Sequence, residues 1–163
     1  MIREPYATLL NNMIKIMKEE FKDDLISVVL YGSVARGDNR NDSDVDILIV
    51  MDNLPRDSML KRIRLFETKV EDKLNLDEYW NKGYYVSLSP ILKTPEEAGK
   101  ISPLYIDMVY DAVILYDKDE FFTKILQKLK ERLTELGAER VRMGKKWYWI
   151  LKKDSRFGET VEL

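Results

Sequence analysis

Two aspartates one residue apart, Asp44 and Asp46, open an apolar run, "DVDILIV". In an extended chain residues i and i+2 share a face, so the two carboxylates are presented together while Val45 turns into the core. Ile47 to Val50 mark the run as a buried, central strand. Like charges side by side at the mouth of such a strand repel, and partial loss of water makes the repulsion costlier. A divalent cation cancels it. The chain has no cysteine and no histidine, which excludes disulfides, a thiol nucleophile, Ser-His-Asp hydrolysis and thiolate or imidazole metal sites. Carboxylate and hydroxyl oxygens remain, and they suit Mg2+ or Mn2+.

Upstream, Gly32-Ser33 ends another apolar run, "LISVVLY", and a polar loop "GDNRNDSD" leads from there to the aspartates. Glycine lets a phosphate approach the backbone closely, and free N–H groups at a helix start attract an anion. Ser33 adds a hydroxyl donor, and Arg36, one helical turn on, adds a positive charge. One loop therefore offers a cradle for a triphosphate, and the adjacent strand offers a place for its metal. Each piece also has a plainer reading: Ser33 as a helix cap, Arg36 as a surface residue, Ser43-Asp44 as the end of a turn, Asp46 as a strand-edge charge. Their conjunction between two apolar strands favours the site.

The stretch "YGSVARGDNRNDSDVDILIV", residues 31–50, resembles the signature of the DNA polymerase β-like nucleotidyltransferases, and in particular their small prokaryotic members, the minimal nucleotidyltransferases. That pattern is Gly-Ser, ten residues, then Asp-x-Asp; here Gly32-Ser33, Val34 to Ser43, and Asp44-Val45-Asp46 match it without a gap. The resemblance implies transfer of a nucleoside monophosphate, AMP from ATP in the first instance, to an acceptor. It implies that Asp44 and Asp46 are the catalytic, metal-binding pair and that Gly32, Ser33 and Arg36 bind the nucleotide. The family uses a third carboxylate on a neighbouring strand. In "YYVSLSPIL" that position falls on Ser87, so a catalytically weakened nucleotide-binding module that regulates a partner by contact is the alternative. Asp107 and Asp111, one helical turn apart, read as surface charges. Minimal nucleotidyltransferases commonly work beside a small HEPN-class protein as antitoxin and toxin, which makes such a protein the expected partner.

The elements that must position these residues are written in the apolar periodicity. Pro5 and a stripe at Leu9, Met13, Ile16 and Met17 predict a first helix. Strands are predicted at "LISVVLYG", "VDILIV", "YYVSLSPIL" and "AVILY". A helix striped by Met59, Ile63, Phe66, Val70 and Leu74 separates the second strand from the third. Thr94-Pro95-Glu96-Glu97 has the form of a capping box, and Ser102-Pro103 starts another short helix. Asp117 and Glu120 are placed to cap a long helix striped by Phe122, Ile125, Leu126, Leu129, Leu133 and Leu136, with Gly137 as its C-terminal cap. "ERVRMGKKWYWILKKD" reads as a hairpin turning at Gly144. Together these predict an α/β (α+β) fold with a mixed sheet and flanking helices, a core over residues 1–117, and a helix-and-hairpin extension over 118–163 packed on the same domain.

The net charge of −2 hides an asymmetry: Lys124 to Arg156 carries eleven Lys and Arg against four Asp and Glu. Such a segment suits an acidic partner, or less readily a nucleic acid, and equally suits a solvated helix face. The cluster Trp147, Tyr148, Trp149 fits either a partner interface or the packing of a terminal hairpin. No apolar run reaches membrane-spanning length and the first residues lack a signal pattern, so a cytoplasmic location with no membrane contact is expected.

Overall fold

The computed structural model describes residues 2–144 and 146–163. Helix α1 (Tyr6–Phe21) places Leu9, Leu10, Met13, Met17 and Phe21 on one face, and all are buried. Strands β1 (Leu25–Tyr31) and β2 (Val45–Met51) pair antiparallel, from Leu25 opposite Met51 to Tyr31 opposite Asp46. The short helix α2 (Gly32–Arg36) lies in the connection between them. Beyond β2 come α3 (Met59–Lys69), α4 (Leu76–Asn81) and β3 (Leu88–Lys93), which runs parallel to β2. Helices α5 (Pro95–Ala98) and α6 (Pro103–Asp111) lead to β4 (Val113–Asp117), antiparallel to β1. The sheet order is β3-β2-β1-β4, a mixed sheet as the apolar pattern predicts. Helix α7 (Phe121–Glu135) and a hairpin of β5 (Glu139–Met143) and β6 (Lys146–Ile150) complete the chain. No helix among the described residues is long and apolar enough to cross a membrane.

Both faces of the sheet are covered, which is why β1 and β2 read as continuous apolar runs. Val28, Leu30, Val45, Ile47 and Ile49 pack with α1 and α3 on one face. Val29, Leu48 and Val50, the alternate residues, pack on the other with α6, α7 and Trp149 of β6. Asp46, two residues before Leu48, shares this second face.

The helix expected to run through Leu74 stops at Lys69: Val70 leaves helical geometry (φ −124, ψ −60), and a 3-10 turn (Glu71–Lys73) precedes the separate α4. Its buried face is also turned from the predicted one. Met59 is 57% exposed, whereas Arg62 is 3% exposed beside Phe66. A guanidinium can occupy that place because its donors are satisfied: Nε donates to the Pro55 carbonyl at 2.6 Å, Nη1 to the Leu92 carbonyl at 3.1 Å, and the fork pairs with Glu97 at 2.6 and 3.0 Å. Arg62 in turn holds the Glu97 carboxyl at about 2, far below its ordinary range. Glu97 closes the predicted capping box with Thr94.

The strand expected over residues 84–92 begins only at Leu88. The residues before it bond elsewhere: Tyr85 N–H donates to the Asn41 carbonyl at 2.9 Å, and Trp80 Nε1 to the Val86 carbonyl at 3.0 Å. Of the two predicted caps for α7, Asp117 serves. It accepts from the N–H groups of Phe122 and Thr123 and from the hydroxyls of Thr123 and Ser27. Glu120 has left-handed backbone and makes no capping bond.

Candidate active site

The chain leaves β1 at Tyr31 and turns at Gly32, whose φ of +75° lies in the left-handed region. A Cβ on Gly32 would overlap Oδ2 of Asp46. The glycine turn and the second aspartate, fourteen positions apart on either side of a polar loop, therefore meet in direct contact. Helix α2 is anchored by the buried Val34 and closed by Gly37, whose N–H donates to the Ser33 and Val34 carbonyls. Tyr31, the N-cap of α2, makes no side-chain capping bond, and the Ser33 hydroxyl makes no hydrogen bond among the described residues. The loop is fixed as well. Arg40 N–H donates to Ser43 Oγ, Ser43 N–H to the Arg40 carbonyl, and the Tyr6 hydroxyl reaches across from α1 to that same carbonyl at 3.0 Å.

Asp44 is exposed and Asp46 half-buried. Burial, and then the charge of Asp44, push the Asp46 carboxyl above its usual range, while the Arg36 charge pulls it back. Two all-oxygen ligands with an excess of negative charge fit a divalent cation of the magnesium type. Among the described residues no third Asp or Glu joins them. Ser89 on β3 stands level with Asp46, and Ser87, just before that strand, accepts the Val45 N–H at its carbonyl. Both positions beside the pair on this strand are thus hydroxyls.

Two neighbours of the site escape the sequence pattern. Tyr31 lies opposite Asp46, and its phenol is pushed up to about 12 by burial and then by the Asp46 charge. Its place as the last residue before Gly-Ser was the available signal. The second neighbour is the hairpin. The Trp147 ring lies 4.7 Å from the Arg36 guanidinium and 4.2 Å from that of Arg140. The indole N–H groups of Trp147 and Trp149 both donate to Asp107, at 3.0 and 2.9 Å, and Arg140 pairs with Asp111 through both terminal nitrogens, at 3.0 and 2.5 Å. Asp107 and Asp111, expected as surface charges, are instead the anchors of this hairpin on α6. The tryptophans share one face of β6, and Tyr148, 49% exposed, takes the other.

Residues 10–136 match the nucleotidyltransferase domain family. The chain is 33% identical over 141 residues to the "putative protein adenylyltransferase" MJ1305 of Methanocaldococcus jannaschii, covering 85% of this chain and 90% of that protein. Among solved structures it is similar to a chain in the structure of a tri-AMPylated Shewanella oneidensis HEPN toxin in complex with MNT antitoxin, at 15% identity and a TM-score of 0.41, covering 80% of this chain and 92% of the other. It is also similar to a "putative nucleotidyltransferase" from Sulfolobus solfataricus, at 20% identity and a TM-score of 0.40, covering 70% and 85%. With the family matched across both its glycine turn and its aspartate pair, this chain belongs to the nucleotidyltransferase domain family.

Proposed function

We propose that the protein transfers AMP from ATP, with magnesium, to a hydroxyl on a partner protein. The observation that carries this reading is the contact between Gly32 and Asp46, which joins a phosphate cradle to a carboxylate pair. In this reading the Gly32-Ser33 turn holds the β- and γ-phosphates through backbone N–H and the Ser33 hydroxyl, and Arg36 offsets their charge. Asp44 and Asp46 would hold the metal, which would supply positive charge to offset that of the triphosphate. The acceptor hydroxyl gives up its proton to solvent, its oxygen bonds to the α-phosphorus as the α–β bridging bond breaks, and pyrophosphate leaves. The chain's contribution is placement and charge neutralisation. The protein acceptor is supported by the name of the relative from Methanocaldococcus. The signature's resemblance to minimal nucleotidyltransferases makes a small HEPN-class protein the first partner to test, in an antitoxin role.

The pair of serines, Ser87 and Ser89, favours a second reading, in which the protein binds nucleotide and controls its partner by contact. Intact-mass spectrometry separates the two. The protein is incubated with ATP, magnesium and its co-purifying partner, beside an Asp44→Asn/Asp46→Asn control. A partner that gains the mass of AMP only with the native aspartates establishes the transferase. A partner that stays bound without gaining mass establishes the binding module. Asp46→Asn alone is expected to abolish magnesium-dependent ATP binding without lowering the melting temperature, because a repulsive pair has gone. Unchanged ATP affinity in that variant would put the site elsewhere.

A further inference from the structure

Beside α2 the hairpin closes a cavity of about 310 Å³ lined by Arg36, Asp38, Arg140, Arg142 and Trp147. Three guanidinium groups and one carboxylate face it, and they are unequally committed. Arg140 gives both terminal nitrogens to Asp111. Arg36 gives only Nε, to Asp38 at 3.2 Å, and Arg142 gives only Nε, to the Gly144 carbonyl at 3.1 Å. The terminal nitrogens of Arg36 and Arg142 therefore make no hydrogen bond among the described residues. Arg142 has no carboxylate partner there either, whereas Arg36 and Arg140 each have one. Trp147 holds the group together: its ring faces Arg36 and Arg140, and its N–H is tied to Asp107.

Free guanidinium forks lining one cavity match the geometry of an oxyanion. We propose that Arg36 and Arg142, gathered around Trp147, form a phosphate subsite that continues the Gly32-Ser33 turn onto the hairpin. The incoming oxygens compete with Asp38 for Arg36 and take Arg142 outright. The subsite shares Arg36 with the proposed nucleotide site and rests on that reading for the source of the phosphate. One source is the terminal phosphate of the triphosphate, and hence the departing pyrophosphate; the other is a phosphate carried by the acceptor.

Calorimetric titrations of the full chain test this. The probes are pyrophosphate without metal, ATP with magnesium, AMP, and orthophosphate added to protein saturated with a non-hydrolysable ATP analogue. Arg142 is exposed, so Arg142→Gln is expected to melt with the native protein while losing roughly tenfold in pyrophosphate affinity and nothing for AMP. Arg142→Lys, with the charge but not the fork, recovers part of the loss. If ATP affinity falls by the same factor, the phosphate is the nucleotide's. If ATP affinity holds and orthophosphate binding to the analogue complex falls, it is the acceptor's. Affinities for pyrophosphate and orthophosphate within about twofold of native, or no binding of either by the native protein, overturn the subsite. Loss of phosphate affinity in the variant of a protein that transfers no AMP would leave the subsite standing and remove the transferase reading.

Discussion

Gly32 carries two constraints at once, a left-handed backbone and a carboxylate where a side chain would go. Gly32→Ala is therefore expected to lose about 1–2 kcal/mol of stability from the backbone alone. Its larger effect is to push Asp46 aside, and a displacement of about 1 Å costs on the order of a hundredfold in turnover. A denaturant melt and the intact-mass assay read the two losses separately; a variant with native turnover would show that the contact with Asp46 is unimportant. At this scale the signature was legible in the sequence, because Gly-Ser and Asp-x-Asp are local patterns with local chemistry. Tyr31 and Ser89 were not, because their relation to Asp46 is a matter of strand register.

Among the elements, the buried Arg62 ties α3 to the end of β3 and the start of α5. Glu97→Ala removes its charged partner and half of a capping box together. The expected cost is about 1–2 kcal/mol, below that of a fully buried pair, since the Glu97 side chain is 41% exposed and Arg62 keeps its two carbonyl acceptors. Urea unfolding checks this, and a loss below about 0.5 kcal/mol would mean that the pair is hydrated and weak. The hairpin gives a second test. Trp147→Leu removes the ring that faces Arg36, so ATP affinity is expected to fall with Arg36→Gln in the background making little further difference. Additive losses would separate the two residues. The capping box at Thr94, the β1 and β2 strands and the turn at Gly144 were all readable from the sequence, since each rests on neighbours in the chain. The break at Val70, the late start of β3, the burial of Arg62 and the roles of Asp107 and Asp111 were not. Each depends on a partner far along the chain, and helical periodicity alone ranks an arginine below Met59 as a buried residue.

For the molecule as a whole, the carboxylates set the response to pH. Glu97 sits at about 2 in the fold against an ordinary 4.5, held by Arg62. At Asp117 burial pushes upward, but the hydrogen bonds of Ser27, Thr123 and two backbone N–H groups outweigh it and keep the carboxyl low. A carboxyl lowered by folding stabilises the fold above its unfolded value and loses that contribution as pH falls toward its folded one. Glu71, raised by burial and then by Glu67, acts in the opposite sense and makes the slope shallower. With no histidine in the chain, the urea midpoint is expected to stay level through the neutral range and to drop between pH 4.5 and about 2. A midpoint that rises on acidification would mean that the raised carboxylates dominate.

The outer rim of β3 has a bearing on how the protein behaves in a crowded solution. The Ser87 carbonyl takes the Val45 N–H, so alternate residues of this strand turn their backbone groups toward β2 and the rest turn them outward. Among the outward ones, Pro90 has no N–H to offer, and the Leu92 carbonyl is already taken by Arg62. An unpaired strand rim is a template for joining other chains, and here the template is spoiled at both places. Pro90→Val would restore a donor without touching the pairing to β2, and Arg62→Leu would free the acceptor. The double variant is expected to form more concentration-dependent, sheet-rich oligomer than the native chain, and on that outcome the arginine that closes the α3–α5 junction would also guard the strand rim against other copies.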